Sequence, residues 1–182
     1  ARVIAWLAGE QWRLDVFENG GDIYCASASQ MFGVPVEKNG VNGHMRKQGK
    51  IAELALGYGG SVGAIDNFDR GGSIPEEDRP DLVKKWRAAS PNITALWNAL
   101  EKAAIRCVRT RMPVELPQYY GIRFRFERAH GYNVLFIDLP NGRPIAYWDP
   151  KIKTNKFDKS ALSFMHVATQ SQIGRASCRE RV

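Results

Sequence analysis

Arg46, Lys50, Leu54 and Tyr58 recur every four residues in the stretch RKQGKIAELALGYGG. At ~100° per residue each step of four drifts ~40°, so on a helix the set lies within an arc of ~120° and spans ~18 Å of axis. Two cations one turn apart, then an apolar residue, then a ring beside glycines form an ordered strip. Such a strip could receive a polyphosphate at one end and a planar base at the other. Arg46 offers a planar fork for phosphate oxygens and Lys50 a mobile point charge. Leu54 and Tyr58 offer an apolar platform, and Gly57, Gly59 and Gly60 let another backbone come close. A solvated basic face running into a helix stop explains the same spacing, with Lys50 and Glu53 as a surface pair worth a few tenths of a kcal/mol. The glycine run is not a P-loop, because no GxxxxGK[ST] follows a strand.

The elements that must position this strip follow from periodicity. Residues 2–18 read as helix, broken near Gly9, with Val3, Trp6, Leu7, Leu14 and Phe17 at helical spacing. Asn19-Gly20-Gly21 stops it. Asp22 is an N-cap for a second helix, Ile23 to Phe32, closed by Gly33 and Pro35. The strip rides on a third helix, about His44 to Leu56, and residues 61–68 read as another short one. Pro75-Glu76-Glu77 opens a helix to about Ala89, and Ser90-Pro91 restarts a long one to about Arg109. After Pro113 the period changes. Ile122 to Glu127 alternates apolar and polar, Val134 to Leu139 is a short apolar run, Pro140-Asn141-Gly142 is a turn, and Ile145 to Trp148 returns as a hairpin. Phe157 to Val167 reads as a further strand. The fold class is α+β, mostly helical, with a small antiparallel hairpin.

Composition bounds the rest. The 182 residues carry 26 Lys plus Arg against 19 Asp plus Glu, a net +7, with 44% hydrophobic residues. This is a globular mixture, not collagen, a disordered tail or a disulfide miniprotein. The basic balance permits an anionic partner without choosing one. Cys25, Cys107 and Cys178 are widely spaced and odd in number, so neither a zinc site nor a disulfide framework is indicated and reduced thiols are expected. The apolar start VIAWLA is too short to cross a bilayer. Asp15, Asp22, Asp138 and Asp149 could ligate a metal, but a cap, turn or surface role fits each better. Trp6, Trp12, Trp86, Trp97 and Trp148 read as core or interface rings. Arg106, Arg109 and Arg111 read as a solvated helix end, and Arg123, Arg125 and Arg128 as one polar sheet face. The final GRASCRERV fits no preceding pattern; without it the charge is +5.

The run Arg46-x3-Lys50-x3-Leu54-x3-Tyr58-Gly59 resembles motif B, the fingers helix of family A (polymerase-I-like) DNA polymerases. ARVIAWLA resembles the second half of that family's motif A, and GDIYCASA followed by MFG resembles its Gly-x-Asp-Ile-His segment and the helix after it. The wording KIAELALGYGGSVGA is similar to phage-type members. The resemblance is specific over residues 1–68 and collinear to about 150. It implies a fingers and palm fragment of a right-hand polymerase: residues 1–18 a palm-edge helix, 19–72 fingers with motif B, and 73–173 palm-side helices and hairpin; the patternless 174–182 read as a non-native or disordered tail.

The resemblance also implies roles. Arg46 and Lys50 would contact the incoming triphosphate, and Lys50 would act as the catalytic acid toward pyrophosphate. Leu54 stands where many members carry an aromatic ring over the sugar, and Tyr24 where many have a phosphate-contacting His. Tyr58 and Gly59 would lie near the nascent base pair and template DNA, and Arg2 would support motif A. The intact enzyme would use Mg²⁺, primer–template DNA and dNTPs in the cytoplasm of a phage or bacterial host, with no membrane and no oligomer indicated. The resemblance sets the first metal-binding Asp before Ala1 and the second in a His-Asp-Glu triplet, whereas His166 here is followed by Val167. No metal site is expected in this chain, which would then be inactive alone. The alternative is a non-catalytic basic helical module that binds nucleic acid.

Overall fold

The computed structural model describes residues 1–129, 131–152 and, as backbone, 153–154 and 162–164. Seven helices and six strands follow in order: α1 (Arg2–Ala8), α2 (Gln11–Glu18), α3 (Ile23–Phe32), α4 (Met45–Leu56), α5 (Val62–Phe68), α6 (Arg79–Ala89), α7 (Pro91–Thr110), β1 (Val114–Leu116), β2 (Ile122–Ala129), β3 (Tyr132–Asp138), β4 (Pro144–Trp148), β5 (Ile152–Thr154) and β6 (Leu162–Phe164). The α+β class and the helix order agree with the periodicity. The chain forms two compact units, Ala1–Thr94 and Ala95–Val182, divided within α7.

In the first unit, Gly9 breaks the opening helix in a left-handed conformation (φ 68°), and its N–H closes α1 onto the Ala5 and Trp6 carbonyls. Asp22 caps α3 as its sequence requires: its Oδ1 accepts from the N–H groups of Tyr24 (2.9 Å) and Cys25 (3.3 Å). The start of α7 is held differently. Oε2 of the buried Glu10 accepts from the N–H groups of Asn92 (2.9 Å) and Ile93 (3.2 Å), a cap lent from a residue 82 positions away. Trp12 adds a bond from Nε1 to the Ala89 carbonyl at 2.9 Å.

Helix α4 is buried around most of its circumference, through Gly49, Ile51, Ala52, Glu53, Ala55 and Leu56. Its tight contact with α3 requires glycine at 49. A Cβ there would sit 2.2 Å from the Tyr24 carbonyl oxygen and 3.1 Å from the Ala28 Cβ. Buried Leu82, Val83 and Trp86 of α6 complete this side of the core.

In the second unit, β1–β4 form one antiparallel sheet in sequence order, and β5 pairs with β6 in a separate two-stranded ribbon. The register sets Phe124 opposite Ile137 and Phe126 opposite Leu135. Ile122, Phe124, Leu135, Ile137 and Tyr147 are buried on one face, as period-two alternation demands. The other face carries Arg123, Arg125 and Asp138. Arg125 donates from Nε to Asp138 (2.9 Å), pairs with Glu127, and lies 4.2 Å over the Phe136 ring. The polar-face reading of these arginines therefore fits Arg123 and Arg125. Asp138 is an ion-pair partner within this sheet. β1 is a strand that short, proline-flanked PVELP did not reveal. Of the rings read as core or interface, Trp86 and Trp97 are buried, and Trp6 and Trp148 are exposed. Of the strand expected over 157–167 only 162–164 is described; His166, Cys178 and the 174–182 tail lie outside the described residues.

Gly49→Ala should destabilise the chain by about 1–3 kcal/mol, the usual cost of forcing extra carbon into a filled contact. Urea unfolding followed by circular dichroism measures it, and an unchanged midpoint would show that α3 and α4 are not pressed together at this residue.

Candidate functional site

Opposite its buried residues, α4 turns outward the exposed Lys47 and Lys50 and the half-buried Arg46 and Leu54. Three of these are the residues singled out by their four-residue spacing. The strip is fixed from beneath by Glu53. Glu53 is 8% exposed and receives both arms of Arg13, from Nη1 at 2.7 Å and Nη2 at 2.8 Å, together with the Trp86 indole N–H at 2.9 Å. Arg13 is 2% exposed, donates also to the Ser90 hydroxyl at 2.8 Å, and lies 4.5 Å over Trp12 and 5.1 Å over Trp86. Its Nε has no hydrogen-bond partner, and the two rings supply the remaining electrostatic contact with the cation. Glu53 is therefore not the surface partner of Lys50. A bidentate, fully buried guanidinium–carboxylate pair took it inward, and Lys50 makes no ion pair among the described residues.

At the N-terminal end of the strip, Arg46 Nε donates to Asp22 Oδ2 at 2.7 Å, and the guanidinium lies 5.4 Å from the Tyr24 ring. Asp22 thus does two jobs: one oxygen caps α3 and the other holds Arg46. The sequence identified the cap and not the ion pair, because the partner lies 24 residues away. Burial raises the Asp22 pKa, but Arg46 and the Tyr24 and Cys25 N–H groups outweigh it, and the net effect is to lower it. The neighbouring Cys25 thiol is raised, by burial first and then by the Asp22 charge.

One turn further on, Lys50 and Leu54 line a groove of about 400 Å³ together with Lys47, Phe68 and Arg70. Tyr58 is not on its wall. It stands 45% exposed on the turn after Leu56, where the helix has ended, so the four-residue pattern outruns the helix by one member. Gly59 follows with φ 80°, a left-handed turn residue. Arg2 belongs to neither cluster: it lies 5.2 Å over the Phe17 ring. The structure thus brings Arg46 to Tyr24, and Lys50 to Leu54, as two neighbouring clusters on one helix. Phe68 and Arg70 were not found from sequence, since nothing in a short helix end announces a wall facing α4.

Among the described residues no three His, Cys, Asp or Glu side chains come together as a metal site, and no helix is long and apolar enough to cross a membrane.

The depressed Asp22 pKa fixes the sign of a pH effect. Its stabilising contribution is present above the unfolded value near 3.8 and is lost as pH falls through the lower folded value. Urea midpoints measured from pH 6 down to 2 should therefore fall more steeply for the wild type than for Asp22→Asn below about pH 4. Parallel curves would show that the cap and the Arg46 pair are not made by a carboxylate.

No family model matches the chain. Individual proteins do. A DNA polymerase of Bacillus phage SP02 is 45% identical over 177 residues, which are 96% of this chain and 26% of that protein. DNA polymerase I of Rhizobium leguminosarum is 36% identical over 92 residues, 50% of this chain and 9% of the relative. The thermostable DNA polymerase I of Thermus thermophilus is 33% identical over 94 residues, 52% of this chain and 11% of the relative. The chain spans about a quarter or less of the length of these curated relatives. In sequence it is family A DNA polymerase-like, phage type, and similar nearly end to end to one stretch of a phage DNA polymerase.

Proposed function

We propose that these 182 residues are the part of a DNA-directed DNA polymerase that grips the incoming deoxynucleoside triphosphate. The observation that carries the reading is Lys50. It is exposed, makes no ion pair among the described residues, and stands at the edge of a groove on a helix locked by a buried ion pair. A fixed cation with no partner of its own is suited to a phosphate. Arg46 stands one turn away, ~6 Å along the axis. Its Asp22 partner keeps the guanidinium in place until a stronger anion competes for it, and the remaining donors of its fork would then meet phosphate oxygens. Tyr24 supports the guanidinium from its ring face. In this reading Lys50 also protonates the departing pyrophosphate, Tyr58 and Gly59 face the nascent base pair and template DNA, and Arg2 steadies the first helix.

Template-directed phosphoryl transfer uses two divalent cations, which would activate the primer hydroxyl and neutralise the leaving group. The described residues do not fit that pair. The carboxylates nearest the strip are already engaged: Asp22 with Arg46 and the α3 cap, Glu53 with Arg13, and Asp69 with the backbone of Ser73 and Ile74. The proposal for this chain is accordingly nucleotide binding without turnover, with primer–template DNA and the metal ions met by a larger assembly of carboxylates and palm.

Calorimetric titration of the chain with dGTP tests it. Lys50→Ala and Arg46→Ala should each weaken binding by about tenfold to a hundredfold, the worth of a charge-assisted hydrogen bond. The chain should give no primer extension. Triphosphate affinity unchanged by Lys50→Ala, or DNA binding that is salt-sensitive with no preference for triphosphate, would overturn the reading in favour of a basic nucleic-acid-binding module.

A further inference from the structure

The groove beside Lys50 has a wall that the triphosphate reading does not use. Phe68, the last residue of α5, is 52% exposed, and its ring lines the same groove as Lys50 and Leu54. Its exposure matters here because the ring lines a groove that also holds exposed cations. Leu54, which lines the same groove, is aliphatic and offers no π face. The lining of the groove therefore combines cationic, aliphatic and aromatic side chains.

Phe68 is also held in position. The next residue, Asp69, is buried, and its carboxylate accepts from the Ser73 N–H at 2.9 Å and the Ile74 N–H at 2.7 Å, while its carbonyl accepts from the Gly72 N–H at 3.0 Å. Burial raises the Asp69 pKa, but those two N–H groups, the Ser73 side chain and the nearby Lys47 outweigh it and keep the carboxyl ionised. The chain turns back on this clasp directly after Phe68, so the ring projects from an anchored corner. Arg70, the next residue along, is exposed on the same groove and makes no ion pair among the described residues. A preorganised ring flanked by Lys50, Lys47 and Arg70 matches a ligand with a flat, π-bearing part joined to a polyanion.

The geometry points to Phe68 as the stacking platform for the base or sugar of a deoxynucleoside triphosphate whose phosphates reach Lys50. This rests on the triphosphate reading above and adds the residue that recognises the nucleoside half. It places the aromatic ring on α5, not on α4, where Leu54 stands in its stead. Asp69 is a positioning residue, acting through the corner it clasps.

The test separates the two halves of the ligand. The chain and its Phe68→Ala, Phe68→Trp and Lys50→Ala variants are titrated with dGTP and with inorganic tripolyphosphate. Phe68→Ala should weaken dGTP by about tenfold, the usual worth of one base–aromatic stack, and leave tripolyphosphate unchanged. Phe68→Trp should restore dGTP affinity, and its indole fluorescence should be quenched by dGTP but not by tripolyphosphate. Lys50→Ala should weaken both ligands. If dGTP binds equally well to the wild type and Phe68→Ala, or if Phe68→Ala weakens only a single-stranded oligonucleotide, the stacking role is overturned while the triphosphate reading stands. If the wild type binds neither ligand, or Lys50→Ala weakens neither, the triphosphate reading fails and the stacking role fails with it.

Discussion

The buried ion pair between Arg13 and Glu53 is the contact on which the placement of α4 depends. It ties α2 to α4, and through Trp86 and Ser90 it reaches α6 and the start of α7. Two ions taken out of water cost several kcal/mol each, and only good geometry with further hydrogen bonds offsets that. Here the carboxylate has three donors and the guanidinium has a carboxylate, a hydroxyl and two ring faces. The arrangement is specific more than it is strong. Removing either partner would leave the other charge buried alone, at a cost of about 3–5 kcal/mol. Any rotation of α4 about its axis would break the pair, so the orientation of the outward strip follows from a contact beneath it.

Gly49 acts with that pair. It lies one turn before Glu53, where the helix comes so close to the Tyr24 carbonyl that no side chain fits. The close approach brings Asp22 within reach of Arg46 and the Tyr24 ring beneath its guanidinium. One end of the strip is therefore paired and steadied, and the next turn, with Lys50, is left without an ion-pair partner. A site for a polyanion needs both: a cation already oriented, and a cation not yet committed.

Much of this was readable from the sequence. The helix boundaries follow the apolar period, Asp22 announces its cap, and the four-residue spacing places Arg46, Lys50 and Leu54 on one face. What escaped has a common physical cause. Glu53 sits three residues from Lys50 and reads as a surface partner, because its true partner, Arg13, is 40 positions away. Glu10 reads as an ordinary charged residue, yet it caps a helix 82 positions on. Phe68 and Leu54 line one groove, and no local period reveals that. The pattern at Tyr58 erred in the other direction, since spacing continues past Gly57 while the helix does not. Local rules recover elements and faces; contacts between distant charges decide which faces are sealed.

On the proposed reading, a deoxynucleoside triphosphate would sit against α4 and the corner after α5. Photocrosslinking with an azido-purine deoxynucleoside triphosphate, followed by peptide mass spectrometry, reads that location directly. Adducts are expected in peptides covering residues 45–71, suppressed by excess dGTP and diminished in Lys50→Ala. Adducts confined to residues 114–148, or labelling that excess dGTP does not suppress, would contradict it.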